Sequence, residues 1–180
     1  MRVFKVGKVE KDLAKALRGT CCKEKKRAFI SKIYYDAKEK KLVSTNGRAM
    51  LIVDSSRLIP VDDEEDGFFE LVGDNLIEVS MSEKFPNWKR AIPSDEVINN
   101  RYAVNSVAKI LKAKTMAGMI CLLTERIFNL DDKGIMAGME LYNGFQAIGW
   151  NDNAASAIKI SGAGFMYVVM PLQICLERLS

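Results

Sequence analysis

The segment KLVSTNGRAMLIVDS, residues 41–55, contains two β-rich runs divided by a short polar stretch, Asn46-Gly47-Arg48. A third run of this kind, AFISKIYYD, precedes it at residues 28–36. Short apolar runs that are separated by turn-forming residues are typical of neighbouring strands. The segment and its neighbour therefore predict a meander of three strands.

A strand and a helix are predicted before this meander. Residues 2–6, RVFKV, alternate apolar and polar side chains as a short strand does. The next segment has apolar residues at helical spacing, namely Val9, Leu13, Ala16 and Leu17. Gly19 is typical of a helix end. The predicted order of the first unit is therefore β-α-β-β-β.

The same order is predicted for the second half of the chain. After the acidic loop, FFELVGDNLIEVSM predicts one or two strands, and SEKFPNWKRAIPSDE is a connection with two prolines. RYAVNSVAKILKAK, residues 101–114, is predicted to be helical, and β-rich runs follow it. The apolar positions that indicate this helix are Val104, Val107, Ile110 and Leu111.

We therefore predict an α+β fold of two β-α-β-β-β units, with antiparallel sheets and two helices on one face. A single domain is expected over residues 1–180, with half-repeats at about 1–60 and about 99–180 and a connection at 61–98. Any α+β sandwich with two helices on one face of a sheet has this element order, so the order alone identifies no family.

The composition argues against most enzymes. Histidine is absent, which removes the commonest general base and the commonest imidazole metal ligand. A nuclease with Asp131 and Asp132, or with the acids at 62–66, around a metal is an alternative, but no acid, base and nucleophile occur at useful spacing. We expect a non-catalytic protein with no metal and no cofactor.

The four cysteines have no CxxC spacing, so we expect neither a zinc site nor a disulfide framework, and reduced thiols in a cytoplasm fit best. The sequence predicts no signal peptide and no membrane span.

Charge is distributed unevenly along the chain. Residues 1–48 hold 15 Lys or Arg and 5 Asp or Glu, whereas residues 61–70 hold six acids and no base. Asp62 to Asp66 lacks the alternating ligands of a calcium-binding loop, so we predict a solvated loop there.

Both predicted helices carry a stripe of polar residues within an arc of about 80°. The stripes consist of Lys8, Lys11, Lys15 and Arg18 on the first helix and of Arg101, Asn105, Lys109 and Lys112 on the second. A solvated face is the alternative, although such faces usually mix charges of both signs. We predict that the seven cations of the stripes contact the phosphates of duplex DNA without sequence preference.

Near the end of the chain, YVVMPLQI at residues 167–174 resembles a strand, but it contains Pro171. Proline cannot donate to a sheet ladder, so this strand should lie at an edge or break there. The segment resembles the C-terminal Val-Met-Pro-(Met/Leu)-Arg-Leu of bacterial sliding clamps, the β subunit of the replicative DNA polymerase. STNGRAMLIV at 44–53 resembles that family's Thr-Asp-Gly-His-Arg-Leu, and KFPNWKRAIP at 84–93 resembles its Phe-Pro-Asp-Tyr-Arg-Arg-Val-(Leu/Ile)-Pro.

The resemblance implies a DNA-clamp-like fold and a processivity factor for DNA replication. It implies helices that line a pore around duplex DNA, and a hydrophobic pocket for the peptide tails of polymerases and clamp loaders. Carried over by position, the pocket would consist of Thr45, Gly47, Arg48, Met50, Pro86, Arg90, Ala91, Val169, Met170, Pro171 and Leu172. The edge strand would then be exposed because a partner peptide packs on it.

The chain departs from the family in length and at motif positions. Family chains have three domains of two units each, whereas this sequence has one such domain, so a ring of six domains would require a homo-oligomer of six copies. Asn46 replaces the family's Asp, Arg48 the His, Ala49 the Arg, Trp88 the Tyr and Gln173 the Arg. The alternative function is an adaptor or decoy that keeps the peptide pocket and forms no ring on DNA.

Overall fold

Ten β-strands and one α-helix are found in the part of the chain that the computed structural model describes, which is residues 1–60, 62–102, 145–153, 156–162 and 164–170. The helix is α1 (Lys11–Thr20). The strands are β1 (Val3–Lys5), β2 (Ile33–Asp36), β3 (Lys41–Thr45), β4 (Ala49–Asp54), β5 (Gly67–Val72), β6 (Asn75–Val79), β7 (Asn100–Tyr102), β8 (Phe145–Trp150), β9 (Ile158–Gly162) and β10 (Phe165–Val169). Short 3-10 helices occur at Lys25–Ile30, Ser55–Arg57 and Trp88–Ala91.

The ten strands form one antiparallel sheet in the order β1-β6-β5-β2-β3-β4-β10-β9-β8-β7. β1 to β6 are joined to β7 to β10 by the pairing of β4 with β10, in which Leu51 lies opposite Tyr167 and Met50 opposite Val168. The strands of the N-terminal unit therefore lie on one side of this pairing and those of the C-terminal unit on the other.

The first unit has the predicted order of strand, helix and three strands. Leu13, Ala16 and Leu17 are buried as the helical spacing predicted, but Val9 is 74% exposed. The expectation for Val9 was wrong because residues 8–10 form a turn and the helix begins only at Lys11. Helix α1 ends at Thr20, whose hydroxyl donates a hydrogen bond to the carbonyl oxygen of Ala16 over 2.9 Å.

In the second unit, β7 precedes β8, β9 and β10. The helix predicted at 101–114 lies outside the described residues, except for its first two positions. Arg101 and Tyr102 belong to β7 and pair with Gly149 and Ile148, so the prediction that Arg101 begins a helical stripe was wrong. The apolar spacing starts only at Val104 and gave no information about these two residues.

The run that predicted one or two strands forms two. β5 and β6 make a hairpin that turns at Gly73, where φ is +60°, a backbone conformation that glycine adopts without steric cost. In the sheet this hairpin lies between β1 and β2.

The acidic loop is exposed as predicted at Asp62, Glu64, Glu65 and Asp66, but Asp63 and Asp66 are held by hydrogen bonds. Arg2 donates a hydrogen bond to Asp63, and the Asp66 carboxylate accepts hydrogen bonds from the Tyr34 hydroxyl and the Ala37 backbone amide, both over 2.8 Å. The described residues contain no group of three or more Cys, Asp or Glu side chains placed to hold a metal ion.

Arg2 also joins this loop to the edge of the sheet. Its guanidinium donates to Glu78 in β6, and this hydrogen bond holds the pKa of the Glu78 carboxyl below its usual range. One half-buried arginine therefore links β1, β6 and the acidic loop.

Both faces of the sheet are covered. The inner face packs against α1 and carries the main core, which includes Tyr35, Leu42, Leu51 and Phe69, all at most 1% exposed. The outer face carries a smaller cluster of Val43, Met50, Ile52 and Val168, against which Phe85, Trp88, Ile92, Ala157 and Met166 pack. β4 is buried without alternation from Ala49 to Val53 because its two faces lie in different apolar clusters.

Among the described residues, no helix is long and apolar enough to cross a membrane.

Ser44 is a buried polar residue on the inner face of the sheet. It is fully buried in β3, and its hydroxyl oxygen has no hydrogen-bond partner within the described structure. We expect Ser44→Ala to raise the free energy of unfolding by about 1 kcal/mol, because the variant removes a buried unsatisfied polar group. Urea denaturation measures this, and a destabilisation of similar size would show that the hydroxyl has a partner.

Candidate functional site

The turn between β3 and β4 is ordered by two side chains. The Asn46 side-chain oxygen accepts hydrogen bonds from the backbone amides of Arg48 and Ala49, each over 2.9 Å. The Thr45 hydroxyl accepts from the Gly47 amide over 3.0 Å and donates to the Ala49 carbonyl over 2.8 Å. Gly47 has a φ of +85°, which favours glycine, and an added Cβ would meet the Arg27 guanidinium at 3.0 Å.

A strap formed by residues 84–92 lies across the outer face of the sheet. Phe85 stacks on Tyr34 of β2 with ring centroids 4.7 Å apart and an interplanar angle of 6°. The Trp88 indole donates a hydrogen bond to the Asp36 carboxylate over 2.9 Å, and Lys89 forms an ion pair with Glu39. These three contacts hold the strap on the hairpin that β2 and β3 form.

Two residues that the strap contacts have shifted pKa values. Burial, followed by the hydrogen bond to Asp66, raises the pKa of the Tyr34 hydroxyl, so Tyr34 stays neutral beneath Phe85. The hydrogen bond from Lys89 holds the pKa of Glu39 below its ordinary value.

The end of β10 lies next to the turn. The Met170 backbone amide donates to the Arg48 carbonyl over 2.8 Å, and the Met170 side chain is 44% exposed. Val168 faces the outer cluster, whereas Val169 is 2% exposed in the main core. Successive side chains of a strand point to opposite faces, so only alternate residues here can reach the outer surface.

The segment between α1 and β2 also reaches this place. The Cys22 amide has both the Ile30 carbonyl, at 3.0 Å, and the Thr45 carbonyl, at 3.1 Å, as acceptors. This shared donor brings the 3-10 helix at Lys25–Ile30 beside the turn.

The turn, the strap, the end of β10 and this 3-10 helix enclose one groove with a volume of about 500 Å³. We call it the outer groove. Its lining residues are Arg27, Phe29, Ile30, Thr45, Gly47, Arg48, Ala49, Met50, Phe85, Pro86, Asn87, Trp88, Ala91, Val168 and Met170. The lining is mostly apolar and, among the described residues, includes no Asp or Glu.

The structure brings seven of the eleven residues predicted for a pocket into the lining of the outer groove: Thr45, Gly47, Arg48, Met50, Pro86, Ala91 and Met170. Arg90 is exposed on the strap but does not line the groove. Val169 lies in the main core, and its neighbour Val168 lines the groove in its place. Pro171 and Leu172 lie outside the described residues.

Other lining residues were not singled out from the sequence. Phe85, Asn87, Trp88, Ala49 and Val168 lie inside the quoted motifs, so the motifs themselves were a signal for them. Arg27, Phe29 and Ile30 lie in the 3-10 helix at Lys25–Ile30. Phe29 and Ile30 belong to the start of the run that was predicted to be a strand, and this part of the prediction was wrong because β2 begins only at Ile33.

The residues predicted to contact DNA lie in different surroundings. Lys8 is exposed in the turn before α1, and Arg18 is exposed on the helix. Lys11 pairs with Asp74 at 2.6 Å and Lys15 with Asp12 at 3.0 Å. The stripe on α1 is therefore partly neutralised by acids.

The second predicted stripe is described only at Arg101, which pairs with Asp95 at 2.8 Å. Asn105, Lys109 and Lys112 lie outside the described residues, as do Asp131 and Asp132.

No protein-family model matches the chain, and no curated protein sequence matches it. Solved structures of bacterial sliding clamps are similar to it. The β subunit of DNA polymerase III from Borrelia burgdorferi, in complex with a natural product, has a TM-score of 0.53 and 13% identity, and the match covers 97% of this chain and 65% of that chain. The Caulobacter crescentus β sliding clamp has a TM-score of 0.56 and 14% identity, with 96% and 66% covered.

A third similar structure is the Helicobacter pylori β clamp bound to a DNA ligase peptide, with a TM-score of 0.52 and 10% identity, and with 95% of this chain and 65% of that chain covered. These likenesses confirm the predicted α+β clamp-like fold class. The chain spans less than two thirds of the length of these clamps. At identities of 10–14%, the similarity to these clamps shows a shared fold and nothing more.

The side-chain oxygen of Asn46 should stabilise the turn that borders the outer groove. We expect Asn46→Ala to lower the free energy of unfolding by about 1–2 kcal/mol, because two backbone amides lose their acceptor. Asn46→Asp keeps the acceptor and should change it by less than about 0.5 kcal/mol. Urea denaturation of both variants checks this, and equal losses would mean that the carboxamide acts through its NH₂ group.

Proposed function

We propose that this protein is a clamp-like, non-catalytic DNA replication factor that binds peptide segments of partner proteins in the outer groove. The observation that carries the proposal is the convergence of separate segments, at 27–30, 45–50, 85–91 and 168–170, on one apolar groove. The last three of these segments lie within the motifs that resemble the sliding-clamp pocket. Nothing local in the sequence brings them together.

The chemistry of the groove suits a short apolar peptide. Its volume of about 500 Å³ lies in the range of small-ligand sites, and its walls offer Met50, Phe85, Trp88, Val168 and Met170 to apolar anchors. The few polar groups, among them Arg48 and Thr45, would fix the direction of the peptide. Met side chains adapt to different anchor shapes, which suits a site that serves more than one partner.

A structural neighbour supports the peptide as ligand. The H. pylori clamp structure contains a bound DNA ligase peptide. By analogy of fold, we propose polymerase, clamp-loader or other DNA-processing proteins as partners of this chain, and a cytoplasmic site of action.

We further propose that the exposed side of α1 contacts the backbone of duplex DNA. Lys8 and Arg18 are exposed, and neither is within 4 Å of a carboxylate in the described part of the chain. Encirclement of DNA would require several copies of a chain of this length. Cations that contact phosphates give binding that is independent of sequence and weakens steeply with salt.

An alternative is an adaptor that binds partner peptides without a ring on DNA. The ion pairs of Lys11 with Asp74 and of Lys15 with Asp12 favour it, since they reduce the positive potential of α1. Light scattering at micromolar concentration distinguishes the two functions, because only a closed oligomer can encircle a duplex.

Met170 and Val169 are adjacent residues that should affect different properties. We expect Met170→Ala to weaken peptide binding by about 1–3 kcal/mol, the range for an anchor side chain in a desolvated pocket, with little loss of stability. Val169→Ala should instead lower the free energy of unfolding by about 1.5–3 kcal/mol, since the residue is buried in the main core.

The measurement is a fluorescence anisotropy titration with the clamp-binding segment of a DNA ligase, with thermal melts of each variant alongside. Unchanged affinity of Met170→Ala would remove the outer groove as the peptide site.

The proposed DNA surface is tested by a change in salt dependence. We expect Lys8→Gln/Arg18→Gln to reduce the slope of log affinity against log salt by up to about 1.8, because each phosphate that is no longer neutralised reduces it by about 0.9. Lys38→Gln/Lys84→Gln is the control with the same charge change. Lys84 lies on the strap, on the face of the sheet opposite α1, and Lys38 lies in the turn after β2.

Titrations of a 20-base-pair duplex at several salt concentrations give the slopes. Equal slopes for the two double variants would place any DNA-binding surface away from Lys8 and Arg18.

A further inference from the structure

The walls of the outer groove carry many positive charges. Arg27 and Arg48 are exposed and line the groove. The strap that forms one wall carries exposed Lys84, Lys89 and Arg90. Within the described residues, no Asp or Glu side chain contributes to the lining. The groove therefore has an apolar floor and a cationic rim.

Among the described residues, three of the five rim cations are uncompensated, whereas Lys89 pairs with Glu39. Within the described part of the chain, no carboxylate lies within 4 Å of Arg48, Lys84 or Arg90. Arg27 pairs with Glu24, three residues away, at 3.5 Å, and both side chains are about half exposed or more, at 49% and 69%. An exposed pair of this kind contributes little and can exchange for a carboxylate of a ligand.

We infer that the outer groove selects peptide segments whose apolar anchors are flanked by acidic residues, an inference that rests on the peptide-binding function proposed above. Apolar side chains of the partner fill the floor between Met50 and Val168. Carboxylates beside these anchors lie near Arg27 and Arg48. Charge complementarity at a rim sets the partner preference and the association rate more than it sets the total affinity.

A single-stranded nucleic acid is a poorer fit to the same groove. Proteins that bind single strands offer open aromatic faces to successive bases. Here one face of Phe85 is covered by Tyr34, and the indole of Trp88 is held by Asp36. The remaining lining, with Ala49, Met50, Ala91, Val168 and Met170, has few polar groups for base edges.

Three forms of one peptide test the inference. They share the apolar anchors of the ligase segment and carry Glu, Gln or Lys at the two positions that flank the anchors. At 50 mM salt, wild-type protein should bind the Glu form about three- to fivefold more tightly per acid than the Gln form, and the Lys form most weakly. The difference should largely disappear at 500 mM salt, where screening is stronger.

Arg27→Gln/Arg48→Gln should lose the preference for Glu and keep its affinity for the Gln form. Arg27→Lys/Arg48→Lys keeps the charge and should keep the preference, and thermal melts verify that each variant is folded. Lys5→Gln/Arg57→Gln removes the same charge far from the groove, because Lys5 lies in β1 and Arg57 beside it, and β1 is five places from β4 in the sheet order. It should behave as wild type.

The outcomes separate this inference from the proposed function. Equal binding of all three peptides by the wild type, with each weakened in Met170→Ala, overturns the acidic preference and leaves the peptide site in place. Failure of all three to bind overturns both. Oligo-dT is the competitor that tests for a nucleic-acid site. If oligo-dT displaces the Glu peptide, binds more tightly than that peptide, and loses its binding in Arg27→Gln/Arg48→Gln, the groove is a nucleic-acid site and the inference is overturned.

Discussion

The pairing of β4 with β10 is the constraint on which the rest of the structure depends. It joins Met50 to Val168 and Ala49 to Val169, residues about 120 positions apart in the chain. Closing so long a segment costs conformational entropy, which burial on both faces of the two strands must offset. The inner faces of these strands lie in the main core and their outer faces form the floor of the groove. One ladder therefore unites the two units and creates the site between them.

The strap determines whether the outer face of the sheet is a groove or a flat apolar patch. It is held at two points, by the stacking of Phe85 on Tyr34 and by the hydrogen bond from Trp88 to Asp36. Both partners belong to β2, two strands away from β4. The strap thus spans β3 and encloses space above β4 and β10. The width of the groove depends on polar and aromatic contacts outside it, although its own lining is apolar.

The sequence was most informative where local chemistry dictates local structure. The Asn46-Gly47 turn, the strands around it and the buried face of α1 followed from residue type and spacing. Sequence reasoning failed where a side chain's direction depends on the sheet: Val169 belongs to the motif but points to the core, because β10 places its neighbour Val168 on the outer face. Arg27 could not be predicted, since the Cys22 amide, not any periodic pattern, brings its segment to the turn.

Charge was the least direct of the sequence signals. The excess of cations in residues 1–48 indicated a DNA surface, but acids from the next part of the chain fold back onto several of them. Asp63 and Glu78 bind Arg2, and Asp74 binds Lys11 and has its pKa lowered by that hydrogen bond. The hairpin of β5 and β6 thereby neutralises the sheet edge next to α1. The same hairpin is remote from Arg48, so positive charge persists at the outer groove, where an incoming carboxylate has no internal acid to displace at that residue.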